Sequence, residues 1–154
     1  MNIVFIDMSS PVIYNDDIFA RTGLGATTTN LVLVAEGLAK HGHQVTCVHH
    51  QRQEREVSKN GVIYTSLAEC PQKPDLVVLI VVVKYKELLK LRLKFPGVPC
   101  VLWFHTIQAK TLRKYRTFIL KLQVTILCVS HYQKTVIETI LKEKKRDWAF
   151  KKLP

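Results

Sequence analysis

Six short apolar runs alternate with four stretches of helical periodicity along this chain, and that alternation constrains the fold more than any other feature. The runs are Asn2 to Met8, Val45 to Val48, Gly61 to Thr65, Asp75 to Val83, Val98 to Phe104 and Val124 to Val129. The strongest of them are apolar throughout, with none of the in-out alternation of a half-solvated strand, so they are predicted to be strands covered on both faces. The first helix carries Leu31, Val34, Ala35 and Leu38 at core spacing, with Thr27 or Thr28 to cap its start and Gly42 to supply a left-handed stop. Tyr85 to Lys94 is the second, ended by Pro96-Gly97. Ile107 to Gln123 is the third, with Leu112, Tyr115, Ile119 and Leu122 on one face and Lys110, Arg113, Lys114 and Lys121 opposite or flanking. Tyr132 to Leu141 is the fourth, with Gln133, Val136, Ile137 and Ile140 inward and Lys134, Glu138 and Lys142 outward.

Strands alternating with helices predict an α/β fold: a parallel sheet of about six strands with helices on both faces, joined by right-handed crossovers. The length of 154 residues suits a single core. Residues 1–142 are expected to form this domain, with 143–154 a basic tail or the start of an interdomain segment. Ligands of such sheets bind beyond the carboxyl ends of the strands. The informative positions are then the first loop, His49-His50, Lys84, His105 and Ser130.

The longest apolar run, Leu76 to Val83, is far shorter than the roughly 20 residues of a membrane-spanning helix. The amino terminus lacks the basic region and long apolar stretch of a secretory signal, so a cytoplasmic protein is expected, with peripheral contact at the inner membrane face as the alternative placement. The four cysteines form no C-x-x-C pair and are expected to be reduced thiols. The net charge of +11 is uneven: residues 1–83 hold six basic and eight acidic side chains, and residues 84–154 seventeen and four. The second half attracts anions, whether phosphate, acidic lipid or nucleic acid.

Gly23-Leu24-Gly25-Ala26-Thr27-Thr28 matches the dinucleotide fingerprint only in part. It lies about fifteen residues beyond the first strand, and the second strand ends in His49-His50, not in the acid a ribose hydroxyl needs, which argues against NAD or FAD. The two glycines either let backbone N–H groups approach an anion at the following helix's positive end or merely relieve strain in a long loop. His105 closes a buried strand, where an imidazole can donate to a sugar hydroxyl or stabilise charge, or else serve as a helix-capping or structural histidine. His41, His43, His49 and His50 have no acids or cysteines at ligand spacing, and no metal site is assigned.

The segment Leu38-Ala39-Lys40-His41-Gly42-His43-Gln44-Val45-Thr46 resembles the L-A-x-x-G-H-x-V-T pattern of family 4 glycosyltransferases. Pro99 to His105 is similar to that family's P-x-V-x-x-x-H strand, and Val129-Ser130 to its V-S strand-to-helix junction. The resemblance spans nearly the whole chain and implies the N-terminal, acceptor-side Rossmann-like half of a GT-B fold. It implies a retaining transferase of hexosyl type that moves a sugar from a nucleotide-sugar donor to an acceptor, with no separate cofactor. It also implies that Thr22, Gly23 and Gly25 approach donor phosphates and acceptor, that His105 contacts the donor sugar as the catalytic residue, and that Ser130 stands at the cleft wall. This chain has Gly-Leu-Gly where the family has adjacent glycines, and no two of its glutamates show the spacing of the family's donor domain. The donor-binding domain is expected to be missing from these 154 residues, with a C-terminal GT-B domain on another chain as the expected partner, and the 154 residues alone are expected to be weakly active or inactive. The alternative is a non-catalytic basic module that holds an anionic membrane surface or a partner domain; nucleic acid is supported by charge alone.

Overall fold

The computed structural model describes residues 1–17, 24–80 and 85–143. Within them lie β1 (Asn2–Asp7), α1 (Ala26–Lys40), β2 (Gln44–His49), β3 (Glu56–Val57), β4 (Ile63–Thr65), β5 (Leu76–Ile80), α2 (Tyr85–Lys94), β6 (Cys100–Phe104), α3 (Ala109–Lys121), β7 (Thr125–Cys128) and α4 (His131–Lys142). Thr22, Gly23, Lys84 and residues 144–154, on which several expectations fall, lie outside the described residues.

The strands form one sheet in the order β3-β4-β2-β1-β5-β6-β7. Every pairing is parallel except that of β3 with β4. The expected sheet of about six parallel strands is therefore corrected to seven, one of them antiparallel. The extra strand is a two-residue hairpin arm made by a turn in which Ser58 N–H donates to Val62 O (2.9 Å) and Gly61 N–H to Ser58 O (3.0 Å). Gly61 takes a positive φ of 88°, natural only for glycine.

Strand pleating sorts the buried side chains onto two faces. Ile3, Phe5, Val78 and Ile80 pack with Leu31, Val32 and Ala35 of α1. Val4, Ile6, Leu79, Leu102 and Phe104 pack on the other face with residues of α2, α3 and α4. Helices thus cover both faces, as the apolar runs require.

Two details of α1 differ from expectation. It begins earlier: Gly25 is the N-cap, with no side-chain cap bond, and Thr27 and Thr28 lie inside the helix. Its buried face is Leu31, Val32, Ala35 and Glu36, while Val34 is 40% exposed. The helix is turned to seat the Glu36 carboxylate, which accepts from Tyr64 Oη (2.9 Å), Ser58 Oγ (3.0 Å) and Asn60 Nδ2 (2.7 Å). The carboxyl end is as expected. Gly42, at φ 83°, donates to Ala39 O (2.9 Å) and His43 N–H to Leu38 O (3.2 Å), the paired bonds of a left-handed helix stop. That stop turns the chain directly into β2.

Among the described residues no helix is long and apolar enough to cross a membrane.

Candidate functional site at the carboxyl edge of the sheet

From β1 the chain builds outward in one direction through β2 and β4, then returns to β1's other side and builds through β5, β6 and β7. Where the winding reverses, the loops after adjacent strands diverge and leave a crevice. β1 ends at this point in Asp7, whose side chain is almost wholly buried. Its Oδ1 accepts from Ser9 N–H (2.8 Å), Ser9 Oγ (2.8 Å) and Ser10 N–H (3.0 Å), and its Oδ2 from Tyr14 Oη at 3.3 Å. A carboxylate with three close donors organises the turn after the strand.

The rest of that loop is fastened to β2 and the segment after it. The imidazole of His49 contacts Ser10 O through Nε2 (3.0 Å). Buried Arg52 donates to Tyr14 O and to Glu56 Oε2 (3.1 Å), and Asn15 Nδ2 donates to Glu56 Oε1 (2.6 Å). The loop following β1 is therefore a built floor.

Above the floor, Ser9, Ser10, Gly25, Thr27, Thr28 and His105 border one cleft of about 440 Å³, inside the roughly 300–1,000 Å³ range of small-molecule sites. Gly25 and His105, distant in sequence, are brought together here. Thr22 and Gly23 fall outside the described residues. Ser130 is not in this cleft. Its Oγ accepts from Gln133 N–H (3.1 Å) as the cap of α4, and it borders a separate groove of about 530 Å³ along the β7 edge. That groove is larger, but its Lys134–Glu138 pair and capping serine are already engaged, whereas the cleft presents two groups that a ligand could use.

The first of these is His105. Its Nε2 is buried without a hydrogen-bond partner, and its ring leans on Trp103, centroids 4.7 Å apart at 41°. Burial lowers the proton affinity of the imidazole, against a smaller opposing pull from Asp7, and favours the neutral ring. A helix-capping role is not what the structure shows, because the N-cap of α3 is Gln108. An unsatisfied buried polar atom costs about 1–3 kcal/mol, which a ligand hydroxyl or oxygen would recover.

The second is the start of α1, which has neither a side-chain cap bond nor an acidic residue in its first turn. Among the described residues no side chain caps its positive end. Gly25 itself sits at φ −69° and ψ 155°, open to any residue, and an added Cβ would meet nothing within 4 Å. Strain relief therefore does not account for Gly25. Among the described residues that border the cleft none is charged, and the anion-attracting element they include is the backbone at the start of α1.

Sequence reasoning passed over Asp7 as a site residue, although an acid ending a buried apolar strand is a legible signal. The four cysteines are free thiols, three of them buried, and burial pushes all four upward in pKa. Among the described residues no group of three or more His, Cys, Asp or Glu side chains is placed to hold a metal ion. No family model, curated protein or solved structure matches the chain.

Proposed function

We propose that this chain is the acceptor-side, Rossmann-like half of a GT-B glycosyltransferase of the family 4 type, and that the cleft between the β1 loop, the α1 amino terminus and His105 is one wall of its transfer site. The observation that carries the reading is the pairing, in one cleft, of a buried unpartnered imidazole nitrogen with an uncapped helix amino terminus. A nucleotide-sugar offers groups for both: phosphate oxygens for the helix end and sugar hydroxyls for a neutral imidazole. Serine and threonine hydroxyls around the cleft suit an acceptor rich in hydroxyls. The strand order, with its reversal at β1, is that of doubly wound nucleotide-binding sheets. The motifs around Gly42, His105 and Ser130 support the same assignment.

In this reading His105 orients the donor sugar and stabilises charge at its hydroxyls, and the α1 end holds phosphate. Transfer further requires donor and acceptor to be held together by the facing domain, so these 154 residues alone bind but turn over little. Titrating a panel of nucleoside-diphosphate sugars into the ¹⁵N-labelled chain is expected to shift the amides of Gly25, Thr27 and Thr28 and the ring signals of His105. Absence of shifts at these positions up to about 1 mM, the limit of useful weak binding, would overturn the proposal.

A further inference from the structure

The cleft is bordered by the hydroxyls of Ser9, Ser10, Thr27, Thr28 and Thr106, and the direction of their hydrogen bonds decides what they offer a ligand. A serine or threonine hydroxyl has one proton to give and two lone pairs to receive with. Once its proton is committed to the protein, a ligand meets only lone pairs.

The commitments are read from partners that cannot donate. Ser10 Oγ lies 2.9 Å from Val12 O, a carbonyl, so the Ser10 hydroxyl is the donor. It also accepts from Val12 N–H at 3.3 Å and, at the long limit of a hydrogen bond, from Thr28 Oγ1 at 3.5 Å. Ser10 is therefore fully engaged. Ser9 Oγ lies 2.8 Å from Asp7 Oδ1, an oxygen that already receives Ser9 N–H (2.8 Å) and Ser10 N–H (3.0 Å). An oxygen receiving two backbone N–H groups carries no proton of its own, so Ser9 is the donor there as well. Both lone pairs of Ser9 Oγ are left over, and Ser9 is exposed whereas Thr28 is buried. Among the described residues no partner fixes the hydroxyls of Thr27 or Thr106, so neither discriminates.

We infer that Ser9 is a specificity-determining residue of the cleft, one that reads a ligand hydroxyl by its proton. It selects a group that donates over one that only accepts. Turning Ser9 round to serve a ligand oxygen would break a bond to a carboxylate, about twice as strong as a neutral one. The same carboxylate polarises the Ser9 hydroxyl and makes its lone pairs better acceptors. Phosphate and ether oxygens gain nothing at this point of the floor. In the transfer reading, on which this inference rests, Ser9 holds a hydroxyl of the sugar acceptor and leaves phosphate to the α1 amides.

The probes are the methyl glycosides of D-glucose, D-galactose and D-mannose, titrated into the ¹⁵N-labelled chain, with the best binder compared with its monodeoxyfluoro derivatives. Fluorine keeps the size and bond dipole of a hydroxyl but has no proton. At one ring position the fluoro sugar should bind about tenfold more weakly, the worth of one hydrogen bond. Ser9→Ala should bring that ratio to within about twofold, because the acceptor is gone. A merely structural role would weaken both sugars alike and leave the ratio where it was. The inference is overturned by equal binding of hydroxyl and fluoro sugars at every position, by a ratio unmoved in Ser9→Ala, or by no shift at Ser9, Ser10 or Thr28 up to about 100 mM glycoside, beyond which affinity is negligible. The nucleoside-diphosphate-sugar titration reads the transfer proposal separately. A fluoro contrast found without shifts at Gly25 or His105 would sink that proposal while upholding Ser9 as the reader of a hydroxyl proton.

Discussion

His49 and Ser10 are joined across 39 residues by one hydrogen bond, from the imidazole Nε2 to the Ser10 carbonyl at 3.0 Å. The other ring nitrogen, Nδ1, accepts from Gln51 N–H at 3.2 Å. A ring that must donate from one nitrogen and accept at the other is neutral, with its proton on Nε2. The second strand thereby holds the floor of the cleft through a side chain that functions only while uncharged.

Acid should therefore loosen this end of the molecule. Burial lowers the proton affinity of His49 and of His105 below the ordinary histidine value. The unfolded chain then binds these protons more readily than the folded one. The contribution to stability is complete above about pH 6.5, the unperturbed value, and is lost as pH falls through the depressed folded values. Denaturant midpoints measured from about pH 7.5 down to pH 5 should fall, and His49→Gln, which keeps a donor but does not titrate, should flatten the slope. An unchanged slope in that variant would remove His49 from the account.

His105→Ala separates binding from folding. The substitution removes an unpaired buried nitrogen and the ring packed on Trp103, effects of opposite sign, so stability should change by no more than about 1 kcal/mol. Affinity for the nucleoside-diphosphate sugar found by titration should fall about tenfold or more, the worth of one well-made buried hydrogen bond. Equal affinity would show that the imidazole faces no ligand.

Gly25→Ser should stabilise the fold and damage the site together. The backbone there accepts a serine without strain, and the hydroxyl would supply the cap that α1 lacks. A gain of roughly 0.5–1 kcal/mol, from the cap and from the less flexible unfolded chain, read as a rise of roughly 1–4 °C in thermal midpoint, is expected. Ligand binding should weaken, because the new hydroxyl competes for the same amides. A serine that destabilises would mean the helix end is already satisfied.

Glu36→Ala tests the seat of α1. It strips the acceptor from Tyr64 Oη, Ser58 Oγ and Asn60 Nδ2, two of which belong to buried residues. A loss of about 2–4 kcal/mol, or roughly 5–15 °C, is expected from stranding those donors. A loss under about 1 kcal/mol would indicate that water replaces the carboxylate at little cost.

What was legible in the sequence follows from how periodicity arises. The limits of α2 at Tyr85 and Lys94, the Gly42 stop and the inward set Gln133, Ile137 and Ile140 of α4 are local consequences of helical spacing and glycine conformation. The face of α1 was not legible, because Leu31, Val32, Leu33 and Val34 surround the helix with apolar groups and only the distant partners of Glu36 choose among them. β3 was hidden because two residues beside Arg55 and Ser58 make no apolar run; the hairpin that creates it is a matter of hydrogen bonds. At the site, the position of His105 could be read from the strand before it, but its unpaired nitrogen depends on the absence of neighbours in space. Ser130 shows the converse, since a serine opening a helix is read equally well as a cap, which is where its Oγ is engaged.

The central place of β1 bears on how the chain is made. Made before its partners, β1 is bonded on one side to β2, with Asn2 opposite Gln44, and on the other to β5, with Ile3 opposite Leu76. Asn2 O also accepts from Asp75 N–H at 2.8 Å. During synthesis β1 can be flanked on one side early, through a local helix crossover, but its other edge stays bare until residues 76–80 have emerged. The loop that this last pairing must close is long, and closing it is the slow, entropically costly event of assembly. The nascent chain thus carries an apolar strand, Ile3 to Ile6, with one edge bare until β5 has emerged, and chaperone engagement is most to be expected in that interval.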